Sequence, residues 1–134
     1  MFVDAAAIVA MLSNEAEAER CAQAVVDASA PFTSAIAVWE ASMALSRPEK
    51  LAIPVARSAE IVTRFLEERA IALRELPPAL DAASLSIEAA SRFRNNAIRL
   101  NLADCFHYAC ARHYAVPMLS TADEFRLTDL ETVP

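Results

Sequence analysis

A chain of 134 residues without one glycine lacks the residue that tight turns and phosphate-cradling loops depend on most. The absence excludes a P-loop and the dinucleotide-binding fingerprint outright, because both need glycine at fixed positions. It also leaves Asn14, Asn95 and Asn96 as the residues expected to take the left-handed conformations that end helices. The length fits a single domain over residues 1–134, with enough chain to bury a full core.

The hydrophobic pattern alternates short apolar runs with longer helical ones. Met1-Phe2-Val3-Asp4 reads as a buried strand ending in an acid, and Ala5 to Leu12 as a helix. A second helix is expected over Glu15 to Ala28, then a short extended piece, Pro31-Phe32-Thr33-Ser34, whose Thr33 or Ser34 can cap a helix from Ala35 to Arg47. Pro54 can open the next helix, with Val55, Ile61, Val62, Phe65 and Leu66 inward. Ala70 to Leu76 is a weak strand, and Ala79 to Phe93 an amphipathic helix with Leu80, Ala83, Ile87 and Ala90 facing in. Arg94 to Asn101 is irregular. Leu102, Cys105, Phe106, Ala109, Cys110 and His113 then mark a helix with Asn101 as its N-cap and Asp104 in its first turn. Val116 to Ser120 is a strand, Thr121 to Phe125 a turn, and Leu127 to Val133 extended. Short strands alternating with helices give an α/β domain with a mainly parallel sheet.

Bulk properties narrow the function classes. The net charge of −6 argues against a general nucleic-acid binder, although the basic residues other than Lys50 are arginines, which suit bidentate contact with phosphate. Cys21, Cys105 and Cys110 have no CxxC spacing and read as reduced core residues. No apolar run approaches the ~18 residues of a membrane helix, and the opening stretch has an acid and no basic segment, so a cytoplasmic, membrane-free protein is expected.

Four acids carry the chemistry. Asp4 ends the first strand and Asp123 follows the late one, which puts both at the carboxyl edge of a parallel sheet, where ligands bind. Asp104 lies at a helix N-terminus, and right-handed β-α alternation brings helix N-termini to the same edge. Glu40 shares a helical spacing with Ile36, Trp39 and Met43, a carboxylate on a stripe otherwise read as core. A buried carboxylate must be paired, protonated or metal-bound, so an arginine partner is the competing explanation for Glu40. Helix capping is the competing one for Asp4, and a plain turn acid for Asp123. Converging carboxylates with no lysine nearby repel, and a divalent cation removes the conflict; all-oxygen ligation fits Mg²⁺ or Mn²⁺. Such an ion can activate water and stabilise charge on a phosphoryl oxygen, which points to phosphodiester hydrolysis.

The residues around these acids resemble PIN-domain ribonucleases of the VapC toxin class over nearly the whole chain. The matching pieces are Met1-Phe2-Val3-Asp4 running into Ala7 to Leu12, Glu40 in its helix, Leu100 to Phe106, Ser120 to Phe125 and Leu127-Thr128-Asp129-Leu130. The resemblance implies a three-layer α/β/α sandwich, an acidic Mg²⁺ or Mn²⁺ site, RNA as substrate, a VapB-like antitoxin and a homodimer. Asp4, Glu40 and Asp104 match the family's acids directly; the fourth is Asp123 or Glu124, with Asp123 favoured. The family usually has a hydroxyl residue shortly after the first acid, where Ala5 and Ala6 stand here, and that loss would remove a hydrogen bond beside the metal site.

Supporting roles are assigned around this core. Ser120 and Thr121 can position water or phosphate, or simply cap the turn. Arg92, Arg94 and Arg99 are candidate contacts to RNA or antitoxin, or a solvated charged loop. His107 and His113 are read as helix residues satisfied locally, and Trp39 as core. Two other readings compete: an inactive PIN-like protein-binding module, motivated by Ala5 and Ala6, and a receiver-like phospho-acceptor domain, disfavoured by the absence of a lysine near the late strand.

Overall fold

In a computed structural model, residues 1–95 and 98–133 are described. Five parallel strands form one sheet: β1 Phe2–Val3, β2 Phe32–Ser34, β3 Ala72–Arg74, β4 Met118–Leu119 and β5 Thr132–Val133, in the order β3-β2-β1-β4-β5. Between them run α1 Ala5–Leu12, α2 Ala18–Asp27, α3 Ala35–Leu45, α4 Val55–Glu68, α5 Ala79–Phe93 and α6 Leu102–His113. Neighbouring residues of a strand point to opposite faces. Phe2 and Val3 are both fully buried, as are Met118 and Leu119, so helices cover both faces of the sheet. The expected three-layer α/β/α sandwich is the observed one. Among the described residues, no helix is long and apolar enough to cross a membrane.

From β1 the chain builds outward to β2 and β3, then returns to add β4 and β5 on the other side of β1. The order therefore reverses between β1 and β4, and a crevice opens beyond their carboxyl ends. Asp4 leaves β1 there, and Ser120 leaves β4.

The missing glycine is answered by alanine more than by asparagine. α1, α4 and α6 end with left-handed residues Asn14, Ala70 and Ala115, at φ of 53°, 52° and 50°. In each, the next amide reaches back to the helix: Glu15 to Ala10, Ile71 to Leu66 and Val116 to Ala111 at 2.9–3.1 Å. This is the Schellman closure, in which glycine is usual. Ala52 is also left-handed, at φ 52°, whereas Asn95 is not among the left-handed residues and Asn96 lies outside those described.

Several inward faces differ from expectation. The buried residues of α3 are Ala37, Ala41, Ser42 and Leu45, while Trp39 is 63% exposed. α5 buries Ala82, Ser86 and Ala89 and leaves Leu80 and Ile87 outside. On α4, Val55 is exposed and Ser58 buried. Large side chains dominate a hydropathy pattern, but small residues let helices approach closely, so alanine and serine occupy the contact. The second helix starts at Ala18, because Glu15 lies in the turn that closes α1 and pairs with Lys50. The expected turn at Thr121–Phe125 becomes a 3₁₀ helix over Asp123–Leu127, which shortens the last extended piece to β5.

Candidate metal centre

The crevice encloses about 380 Å³ and is lined by Asp4, Glu40, Asp104 and Glu124, together with Thr121 and the bases Arg47, Lys50 and Arg99. Two of those bases come from the segment after α3, so the acids are not remote from lysine as the sequence implied; Lys50 itself is paired with Glu15.

Asp4 is the buried floor of the site, 3% exposed. It caps α1, with Oδ2 accepting from the Ala6 amide at 3.3 Å. The same oxygen accepts from the Ser120 hydroxyl at 2.6 Å. Ser120 Oγ in turn accepts from the Ala122 amide at 3.0 Å, so one hydroxyl both caps the turn after β4 and orients the acid after β1. Ala5 and Ala6 offer Asp4 no hydroxyl, and the one it accepts from belongs to the residue after β4.

Asp4 Oδ1 lies 2.7 Å from His107 Nδ1, and His107 Nε2 lies 3.7 Å from Glu40 Oε2. His107 is fully buried, and neither ring nitrogen has an aligned hydrogen bond. The expectation that it is satisfied locally is therefore corrected. One ligand atom each from Asp4, Glu40 and His107 falls within 4.8 Å of the others, a spacing that could hold a metal ion. The signal was present in the sequence: His107 follows Asp104 by three residues, one helical turn, and so shares its face of α6.

Electrostatics in this cluster follow from burial and company. Burial pushes the Asp4 carboxyl up, but the bond and charge of His107 and the Ser120 hydroxyl together hold it below its ordinary value. Burial would lower the His107 pKa, yet Asp4, Glu40 and Asp104 raise it. Glu40 is pushed up by burial and by the charges of Asp4 and Asp104, with His107 opposing. Asp104 is pushed up by burial, opposed by the Asn101 amide, and raised further by Asp4. Among the described residues no arginine pairs with Glu40, which leaves the pairing alternative unsupported.

Asp104 has a structural duty as well. Its Oδ2 accepts from the Asn101 amide at 2.6 Å while Asn101 Oδ1 accepts from the Asp104 amide at 3.0 Å, a reciprocal capping box at the start of α6. Asp123 does not join the other acids. The 3₁₀ helix turns its side chain outward, 92% exposed and 3.6 Å from Arg126, and carries the adjacent Glu124 into the crevice instead.

The three candidate arginines separate. Arg92 is held by Glu88 at 2.7 Å and Asp129 at 2.9 Å. Arg94 and Arg99 are exposed and bridge through their backbones, and of the two only Arg99 lines the crevice. His113 sits 3.2 Å from Asp81, tying α6 to α5, and the three cysteines are free and buried, both as expected.

Comparisons with known proteins agree with this geometry. The PIN domain family matches residues 1–129. Ribonuclease VapC of Mycolicibacterium smegmatis is 31% identical over 99% of both chains. Ribonuclease VapC30 of Mycobacterium tuberculosis is 30% identical over 99% of this chain and 98% of its own. Among solved structures, the sarcin-ricin-loop-cleaving toxin VapC20 of Mycobacterium tuberculosis superposes with a TM-score of 0.74 at 14% identity, covering 99% of this chain and 98% of that one. FitAcB of Neisseria gonorrhoeae gives 0.68 at 15% identity, covering 99% and 96%. At these identities the superpositions speak for the fold.

Proposed function

The chain belongs to the PIN-domain family, and from that membership we propose that it is the toxin of a VapBC-type pair, an endoribonuclease using Mg²⁺ or Mn²⁺. The observation that carries the metal dependence is the buried Asp4–Glu40–His107 cluster, with Asp104 and Glu124 lining the same crevice. Glu40 and Asp104, pushed up by burial and by the neighbouring acid charges, beside an imidazole with no aligned hydrogen bond at either nitrogen, fit a divalent cation.

Asp4, Glu40 and Asp104 would hold the ion, and Glu124 takes the fourth position in place of Asp123. When bound, the cation activates water and offsets negative charge on the phosphoryl oxygen. The protein's own part is positional. Ser120 fixes Asp4, the capping box fixes Asp104, and Arg99 offers a guanidinium to a phosphate at the crevice wall. Thr121 adds a hydroxyl within reach of a substrate in that crevice.

A VapB-like antitoxin and a second copy of the chain are the proposed partners, with the cytoplasm as the place of action. Their support is the family and the uncovered apolar side chains Leu80 and Ile87 on α5. The inactive-module reading, motivated by Ala5 and Ala6, is the alternative that the cleavage test decides; the Ser120 hydroxyl on Asp4 favours the active reading.

The test is cleavage of a mixed RNA pool by purified protein with Mg²⁺, Mn²⁺ or excess EDTA, with Asp104→Asn alongside. Asparagine can still accept the Asn101 amide, so the fold should persist while cleavage falls by at least about a hundredfold. Cleavage that survives EDTA, or a mutant as fast as wild type, overturns the proposal.

A further inference from the structure

We propose that His107 is a nitrogen ligand of this centre, through Nε2, and that the site consequently selects transition ions such as Mn²⁺ over Mg²⁺. The inference rests on the metal-site reading above and deepens it by naming a donor outside the acidic set.

The two ring nitrogens occupy different situations. Nδ1 stands 2.7 Å from Asp4 Oδ1, an ion-pair contact that lacks hydrogen-bond alignment and leaves no room for an ion between the two atoms. Nε2 stands 3.7 Å from Glu40 Oε2, too far for a hydrogen bond. Two atoms that each lie about 2.1 Å from a shared ion are separated by roughly 3–4 Å, and the Nε2–Oε2 distance falls in that range.

An imidazolium merely ion-paired between two acids is the competing arrangement. Glu40, whose side chain is 29% exposed, would have to close on a charged ring in that arrangement. It stands off instead, and His107 is left fully buried with no aligned partner at either nitrogen. An ion between Nε2 and Oε2 would complete both groups. Because α6 also carries Asp104 one turn away, a single rigid helix would then deliver two of the donors.

Imidazole favours first-row transition ions, whereas Mg²⁺ favours oxygen and retained water. The experiment is Mn²⁺ titration of the full chain and of His107→Ala, followed by electron paramagnetic resonance, with electron-spin-echo detection of ¹⁴N coupling and Mg²⁺ competition. The wild type should bind Mn²⁺ with a directly coordinated nitrogen. His107→Ala should lose that coupling, and its Mn²⁺-over-Mg²⁺ preference should fall by about tenfold or more. Absence of ¹⁴N coupling in the wild type overturns the proposal by itself, even if the variant fails to fold. Mn²⁺ bound without ¹⁴N coupling, or with coupling that persists in His107→Ala, removes His107 from the ligand set while leaving the metal nuclease standing. No Mn²⁺ binding at millimolar concentration overturns both.

Discussion

At the scale of single residues, the meeting of Asp4, Glu40 and Asp104 at one crevice was readable from the sequence, whereas the bond from Ser120 to Asp4 was not. Asp4 and Asp104 announce themselves by position, one ending a strand and one opening a helix, and Glu40 by lying among apolar residues. Ser120 reaches Asp4 from 116 residues away, a contact only the sheet order creates. Glu124 rather than Asp123 lines the crevice because a 3₁₀ turn intervenes, and no spacing rule separates two adjacent acids. Two predictions belong here. Ser120→Ala removes a buried donor to a charged oxygen and should cost about 1.5–3 kcal/mol in urea unfolding. It should also weaken metal binding roughly tenfold or more, read by titration. Asp123→Asn should leave cleavage within about twofold of wild type, because its side chain is in solvent, whereas Glu124→Gln should reduce it sharply. Reversal of that order would return the fourth acid to Asp123.

At the scale of elements, the boundaries of α1 and α5 were legible to the residue, while the buried faces of α3 and α5 were not. Helix length follows from capping residues and proline, which are local. The choice of face depends on what packs opposite, and in this alanine-rich chain the contacts are made by Ala37, Ala41, Ala82 and Ala89, whose small side chains barely register in a hydropathy pattern. Trp39, the heaviest residue of its stripe, therefore misled the reading of α3. The helix ends give a cleaner rule. Left-handed alanine is strained by its Cβ, and Ala70 and Ala115 hold it because the Schellman bonds demand that backbone. Ala70→Gly and Ala115→Gly relieve the strain but loosen the unfolded chain. The strain is the larger effect, so each should raise stability by up to about 1 kcal/mol, seen as a higher urea midpoint with an unchanged slope. A loss of stability at either position would mean the alanine methyl contributes packing that outweighs its strain.

At the scale of the molecule, the switch in strand order between β1 and β4 collects charge that the fold alone does not balance, and this makes stability depend on pH and metal together. The signs can be worked out group by group. Asp4 is held below its ordinary value, so its contribution is present above about pH 4 and is lost as pH falls through the lower folded value. His107 is raised, so its contribution is complete below about pH 6.5 and is lost as pH rises through the higher folded value. Glu40 and Asp104 are raised carboxyls, whose ionisation in the folded state is a cost that begins above about pH 4 and is fully present beyond their raised values. The favourable pair is thus intact, and the repulsion smallest, in mildly acid solution. The metal-free chain should show its highest Tm between about pH 4 and 6.5 and a decline toward pH 8.5. A cation at the cluster reverses the balance, since it needs ionised carboxylates and a neutral imidazole. Millimolar Mn²⁺ should therefore raise Tm more at pH 8 than at pH 5.5, by mass action on the folded state. Calorimetric scans with Mn²⁺ or with EDTA across that range check both signs. A Tm that is flat with pH, or a metal shift that shrinks as pH rises, would mean the cluster is held by its internal ion pairs and the crevice acids do not act as one charge-coupled centre.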